Sequence, residues 1–189
     1  MAKKKGYVYR SKMRLKDGTI IYAKDYGKKE WDNEIPKKEI FDEIFRVSKN
    51  QIIFGGNYFV EYLKNSSCWI VWDKNNGNND FADCELAWTN FKSAVRKYKW
   101  TWNGMLQEDM KNKDIRIHPT QKPLKLFEMI LRDYSNENDL ILDCFSGSGS
   151  LAIAAYNTRR NFICIERDTD YYNASVERLK IAQSQLKLF

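Results

Sequence analysis

The sequence predicts an α/β fold, and three observations predict it. Short apolar runs alternate with longer segments of helical periodicity along most of the chain. One such run, Leu140–Cys144, passes through Phe145-Ser146-Gly147-Ser148-Gly149 straight into a helix-forming segment. A second run follows that helix and leads into an acidic residue, Glu166. Alternation of this kind sets strands side by side and lays their crossover helices against them, giving a three-layer α/β domain.

The elements follow in order. Met13–Lys16 and Thr19–Ala23 flank Asp17-Gly18, a dipeptide favoured in tight hairpins because both central positions need positive φ. Residues 7–24 therefore read as a basic β-hairpin. Pro36 opens a helix with Ile40, Phe41, Ile44, Phe45 and Val47 on one face, ending near Asn50. Gln51–Phe54 is a short strand stopped by Gly55-Gly56, and a short helix is expected over Tyr58–Lys64. Trp69–Asp73 and Cys84–Phe91 are further strands, separated by a loop rich in Asn and Gly. Residues 92–117 are basic and aromatic with weak periodicity. From Pro123 a helix is expected with Leu124, Phe127, Ile130, Leu131 and Tyr134 on its apolar face. Leu140–Cys144 then forms a strand, Ser150–Asn157 a helix, Phe162–Ile165 a strand and Asp168–Gln185 a closing helix. There is no internal repeat and no low-complexity linker.

Length and composition bound the rest. A chain of 189 residues suits one domain, or one with a small appendage. Hydrophobic residues at 43% exclude wholesale disorder. No apolar run approaches the roughly 18 residues of a membrane span, and MAKKKGYVYR lacks the apolar core of a secretory signal. Cys68, Cys84, Cys144 and Cys164 are widely spaced, which fits reduced cytosolic thiols. His118 is the sole histidine, so an ordinary zinc site has few ligands available and no metal is expected.

Charge is unevenly placed. The net charge is +7, and residues 1–30 alone hold ten Lys/Arg against three Asp/Glu. The whole excess therefore sits at the front, on a body with equal numbers of each sign. A polyanionic partner, nucleic acid first, is the natural reading; a solvated lysine tail is the bland one.

The glycine turn carries the chemistry. Glycines between a strand and a helix let a ligand approach the backbone and leave the first helical amides available. A carboxylate at Glu166, on the next strand, can accept hydrogen bonds from both hydroxyls of a ribose. Gly147, Gly149 and Ala152 also satisfy G-x-G-x-x-A, which brings a nicotinamide cofactor into consideration. The position of this loop, late in the chain with a single βαβ unit after it, weighs against a dinucleotide. Ahead of it, His118-Pro119-Thr120-Gln121-Lys122-Pro123 is a stiffened polar segment whose Thr120 and Lys122 can hold the carboxylate of an amino-acid-like ligand. Taken alone, that segment reads as an ordinary helix start with Thr120 as cap and Pro123 in the first turn. Together the two segments fit S-adenosylmethionine, which has a ribose and an amino-acid end.

On these residues the sequence resembles the permuted, β-type DNA amino-methyltransferases, especially site-specific adenine-N6 enzymes of bacteria and phages. HPTQKP before a helix, followed by LDCFSGSGS and ICIERD, matches the family's cofactor segments in their permuted order. RVSKNQIIFGGNYF, WIVWDK and ELAWTNF look like its middle segments. The resemblance implies a Rossmann-like sheet with helices on both faces, in circularly permuted order and incomplete at the N-terminus. It divides the chain into a flap of residues 1–30 and a methyltransferase domain of residues 31–189, with 92–117 as a short DNA-recognition region. It further implies S-adenosylmethionine held by Thr120, Gln121, Lys122, Asp143, Phe145, Ser146, Gly147, Gly149, Ser150 and Glu166. Double-stranded DNA with a flipped target base is the implied partner, contacted by Arg96, Lys97, Lys99 and Trp102. The implied setting is the cytoplasm of a bacterial or phage-infected cell.

One departure stands out. The family's Asp/Asn/Ser-Pro-Pro-aromatic tetrad is absent, since the prolines are Pro36, Pro119 and Pro123 alone. An exocyclic amine is a poor nucleophile, and the tetrad holds it while an aromatic ring stacks on the flipped base. Positioning and desolvation supply most of the acceleration. No catalytic residue is therefore identified, and the chain reads as a truncated or degenerate adenine-N6 methyltransferase. A non-catalytic cofactor- or DNA-binding remnant and a cytosine-N4 enzyme are the alternatives. In residues 92–117, Lys and Arg would contact phosphates and an exposed Trp would stack on a base; the competing reading buries Trp100 and Trp102 on one face of a strand.

Overall fold

A computed structural model describes residues 12–14, 20–22, 35–77, 82–103 and 106–185. The chain forms two compact units that meet between Glu108 and Asp109.

In the first unit β1 (Lys12–Arg14) and β2 (Ile20–Tyr22) pair antiparallel, with Met13 opposite Ile21. The Asp17-Gly18 turn, like residues 1–11 and 23–34, lies outside the described residues. Helix α1 (Lys38–Val47) buries Phe41, whose ring lies 5.2 Å from Phe59 and 5.1 Å from Tyr62. Phe45 meets Trp88 edge-on at 5.9 Å. Ile40 and Val47, expected on the same apolar face, are exposed.

Strand β3 (Ile52–Phe54) ends at Gly55, whose φ of +73° is the left-handed conformation glycine tolerates. Gly56 backs onto Trp88, and a Cβ there would lie 2.6 Å from the Trp88 Cβ. The helix expected over Tyr58–Lys64 does not form. The amides of Tyr58, Phe59 and Tyr62 bond the carbonyls of Gly55, Gly56 and Phe59, all three residues back. Tight turns of this kind let Phe59 and Tyr62 both reach Phe41.

Strands β4 (Trp69–Asp73), β5 (Cys84–Thr89) and β6 (Arg96–Lys99) join β3 in one sheet of order β3-β5-β4-β6. β5 runs antiparallel to β3 and β4, whereas β6 runs parallel to β4. β5 stops short of the expected Phe91, because the Thr89 hydroxyl donates to the Cys68 carbonyl and accepts the Phe91 amide. β7 (Trp102–Asn103) and β8 (Leu106–Gln107) form a short antiparallel pair. The weakly periodic stretch thus supplies three short strands. Its charged β6 is set by backbone pairing with β4, which leaves no alternation for a sequence to show. Cys68, Ile70, Trp72, Ala87 and Trp88 form the buried centre of the sheet.

The second unit comprises α2 (Leu124–Tyr134), β9 (Leu140–Asp143), α3 (Ser150–Asn157), β10 (Asn161–Cys164) and α4 (Thr169–Ser184). β9 and β10 pair parallel, Leu140 with Asn161 through Asp143 with Cys164. α3 is apolar on all sides and correspondingly buried. Leu131, Ala154 and Ala155 form a core against which Leu124, Phe127, Ile141 and Phe162 pack. Leu140, Leu142, Ile163 and Ile165 are exposed. Leu126, outside the anticipated apolar face of α2, is fully buried. The buried Arg160 donates to the carbonyls of Leu131 (3.1 Å) and Ser135 (2.7 Å), which satisfies carbonyls at the end of α2. Among the described residues no helix is long and apolar enough to cross a membrane.

Candidate functional site

The second unit gathers the glycine turn, the strand-end acids and the HPTQKP segment. β9 ends on Asp143, whose Oδ1 accepts the Phe145 amide at 3.1 Å and starts the turn. The Ser146 amide donates to the Ile165 carbonyl at 3.0 Å, tying the turn to the end of β10. Gly147 and Gly149 take φ of +48° and +71°. α3 then begins at Ser150 with no side-chain cap, and its first intrahelical bond runs from the Ile153 amide to the Gly149 carbonyl. The amides of Ser150, Leu151 and Ala152 precede that bond, as at any helix start. They are the groups an oxygen-rich ligand meets there.

Glu166 faces the turn from the other strand. Its Oε2 accepts the Gly147 amide and its Oε1 the Asp168 amide, each at 2.8 Å. A carboxylate has about four lone-pair sites, so capacity for ribose hydroxyls remains. Asp168 caps α4 by accepting the amides of Asp170 and Tyr171.

Burial pushes the Asp143 carboxyl above the ordinary carboxylate range; the Phe145 amide and the Lys122 charge oppose this, and the Glu166 charge adds to it. Lys122 thus acts electrostatically on the end of β9. Burial, and then the Asp143 charge, push the Cys164 thiol up to about 12 and raise that of Cys144.

His118 brings the second segment to the turn. The ring is buried, stands edge-on to Tyr171 at 4.3 Å, and lies so close to Gly147 that a Cβ there would be 3.2 Å away. Its Nδ1 accepts the Thr120 amide at 3.3 Å and lies 3.1 Å from the Thr120 hydroxyl. Gln121 is buried, with Oε1 accepting the Ile117 amide and Nε2 donating to the Ile115 carbonyl, both at 3.0 Å. The Gln121 amide therefore shapes its own segment. The start of α2 is served by Asp114, which accepts the Leu124 amide at 3.1 Å, not by Thr120.

Of the residues the sequence singled out, Asp143, Ser146, Gly147, Gly149, Ser150 and Glu166 lie in or against the turn, and Phe145 is 60% exposed beside it. Sequence reasoning missed three contributors. His118 acts as a packing ring, Ser175 presses on Gly149, and Arg178 donates to the Ser148 carbonyl. Only the glycines gave a signal, since each glycine at positive φ needs a neighbour to hold it.

The DNA candidates lie in the first unit. Arg96, Lys97 and Lys99 are exposed on β6. The Lys97 ammonium lies 3.3 Å from Asp73, whose carboxyl is held below its ordinary range first by the Asn75 amide and then by Lys97 and Lys99. Trp102 is 7% exposed, so it belongs to the interior and is not the exposed stacking ring that was expected. Trp100 is half-buried, and the Trp72 indole donates to its carbonyl at 3.0 Å.

Comparison with known proteins gives a consistent picture. The sequence profile described as DNA methylase matches residues 15–177. The Type II methyltransferase M2.MboI of Moraxella bovis is 30% identical over 135 residues, covering 65% of this chain and 44% of that protein. The crystal structure of the M1.HpyAVI–SAM complex superposes with a TM-score of 0.55 at 29% identity, covering 77% of this chain and 84% of that one. PvuII DNA methyltransferase, described as cytosine-N4-specific, shares the fold at 16% identity and a TM-score of 0.53, covering 86% of this chain and 76% of that one. The matches span between 26% and 45% of the length of the first curated relatives.

Proposed function

The chain belongs to the DNA methylase family, and from that premise we propose that it binds S-adenosylmethionine and serves methyl transfer to the exocyclic N6 amine of adenine in double-stranded DNA. The observation that carries the reading is the pairing of Glu166 with the glycine turn. A strand-end carboxylate bonded to the Gly147 amide suits a ribose that needs acceptors, next to the start of α3, which has no side-chain cap.

The residues present fit this cofactor. Glu166 has lone pairs to spare for the ribose, and the first amides of α3 offer donors. Lys122, whose charge acts on Asp143 at the end of β9, and Thr120, which contacts the His118 ring beside Gly147, suit a carboxylate. When bound, the cofactor supplies an electrophilic methyl group on a sulfonium. The chain's own contribution is to bind, orient and keep water from that group. Arg96, Lys97 and Lys99 supply phosphate contacts to a duplex from which the target base is flipped. The fold itself does not separate adenine-N6 from cytosine-N4 acceptors, because it is shared with a cytosine-N4 enzyme.

Calorimetric titration of S-adenosylmethionine into the wild type, Glu166→Ala and Gly147→Trp tests the site. Both variants are expected to lose at least tenfold in affinity. The first loses charge-assisted acceptors, and the second drives an indole into the His118 ring. Unchanged affinity in both removes the assignment. In the same preparations, labelled methyl transferred to plasmid DNA is expected at adenine N6, and label found at cytosine N4 with none at N6 overturns the adenine assignment.

A further inference from the structure

α4 touches the glycine turn at two positions one helical turn apart. At Ser175 the contact is steric: a Cβ built on Gly149 would lie 2.8 Å from the Ser175 Cβ. At Arg178 it is polar. The guanidinium Nη1 donates to the Ser148 carbonyl and reaches the Ser150 hydroxyl at 3.4 Å, while the Ser148 and Ser150 hydroxyls lie 3.0 Å apart. Ser148 and Ser150 are 4% and 2% exposed, so this cluster is interior.

We propose that Arg178 is a positioning residue for the cofactor loop, fixing the Ser148–Gly149 peptide from the α4 side and so preforming the start of α3 for its ligand. The inference rests on the cofactor reading given above. Ser148 stands between two glycines at positive φ, and glycine has more backbone freedom to lose than any other residue. A ligand that binds a turn of this kind must supply its ordering entropy unless the protein has already done so. Two side chains of opposite charge do so here. Glu166 accepts the amide of residue 147, and Arg178 donates to the carbonyl of residue 148. An anion on the 146–147 peptide and a cation on the 148–149 peptide leave the single peptide between them little freedom to rotate. Burial costs the guanidinium hydration and lowers its pKa, with the Asp114 charge opposing the shift. A residue used only for solubility would not be placed at that cost.

The test compares Arg178→Gln and Arg178→Lys with Lys180→Ala, an exposed control on the same helix. Hydrogen exchange of the amides in residues 145–152 is measured without ligand, and S-adenosylmethionine affinity by calorimetry well below every unfolding midpoint. Arg178→Gln is expected to speed loop exchange about tenfold and weaken binding about tenfold. Arg178→Lys, which keeps one charged donor, restores part of both, and Lys180→Ala changes neither. If Arg178→Gln lowers the unfolding midpoint but leaves loop exchange and affinity at wild-type values, the residue only stabilises the fold and the proposal is overturned. If Arg178→Gln does not fold, Arg178→Met, which keeps the apolar stem and removes the donor, is measured in its place, and wild-type exchange and affinity there equally overturn it. A wild type that binds no cofactor defeats the cofactor reading, whereas loop exchange still decides whether Arg178 holds the turn.

Discussion

Replacing Gly149 by alanine adds one methyl group at a backbone angle of +71°, 2.8 Å from the Ser175 Cβ. Two costs arise. The left-handed conformation costs an L-residue about 1–2 kcal/mol, offset by about 0.4–1 kcal/mol from the stiffer unfolded chain. Overpacking a close contact adds about 1–3 kcal/mol. With a net first cost of about 0.5–1 kcal/mol, the sum is about 1.5–4 kcal/mol. Gly77 isolates the first cost, because its φ is +63° and, among the described residues, nothing lies within 4 Å of a Cβ there. Gly77→Ala is therefore expected to cost about 0.5–1 kcal/mol. Denaturant unfolding separates the two readouts: the last tryptophan is Trp102, so indole fluorescence reports the first unit. Far-UV circular dichroism is dominated by α2, α3 and α4 of the second unit. Adding Ser175→Gly to Gly149→Ala should recover part of the steric cost, giving a coupling of about 1 kcal/mol in a double-mutant cycle. A cost for Gly149→Ala within about 0.5 kcal/mol of that for Gly77→Ala, or a coupling near zero, would refute the close packing of α4 on the turn.

Two further outcomes follow from the same structure. Because burial favours the neutral Cys164 thiol and holds its pKa up to about 12, its stabilising effect is present below the unfolded value near 8.5 and fades as pH rises toward 12. At pH 8 the folded thiol is ionised only to about one part in ten thousand, so iodoacetamide should label Cys164 in urea but not in buffer; rapid labelling of the native protein, read by peptide mass spectrometry, contradicts this. For DNA, Arg96→Ala and Lys99→Ala should each flatten the salt dependence of binding by about one unit of slope. Trp102→Phe should leave it unchanged, and a large affinity loss in that variant without loss of stability would return Trp102 to the interface.

Much of the second unit was legible. The segment Leu140–Cys164 reads from sequence because each device is local: an apolar run, glycines where φ turns positive, an alanine-rich helix, a second apolar run. β9, α3 and β10 fall within a residue of their expected limits. The first unit was harder. Tyr58–Lys64 has a helix-compatible composition, but the demand of Phe41 for two aromatic neighbours keeps it in tight turns. β6 carries almost no apolar pattern and exists through its ladder with β4. Trp102 has the composition of a base-stacking ring and was misplaced for that reason; whether an aromatic faces solvent depends on what packs above it.

The sequence by itself determined the strand–turn–helix–strand unit and the place of its acid. Two glycines after a strand, and an acid after the next, suit the ribose-bearing ligand proposed above, because those constraints act over a few bonds. Tertiary structure decided what holds the turn in place. The rings and charges that do so, His118 over Gly147, Ser175 against Gly149 and Arg178 on the Ser148 carbonyl, come from 26 to 30 positions away along the chain. Separations of that length carry no periodic signal, and only the packing of α4 and the HPTQKP segment onto the turn brings them within contact distance.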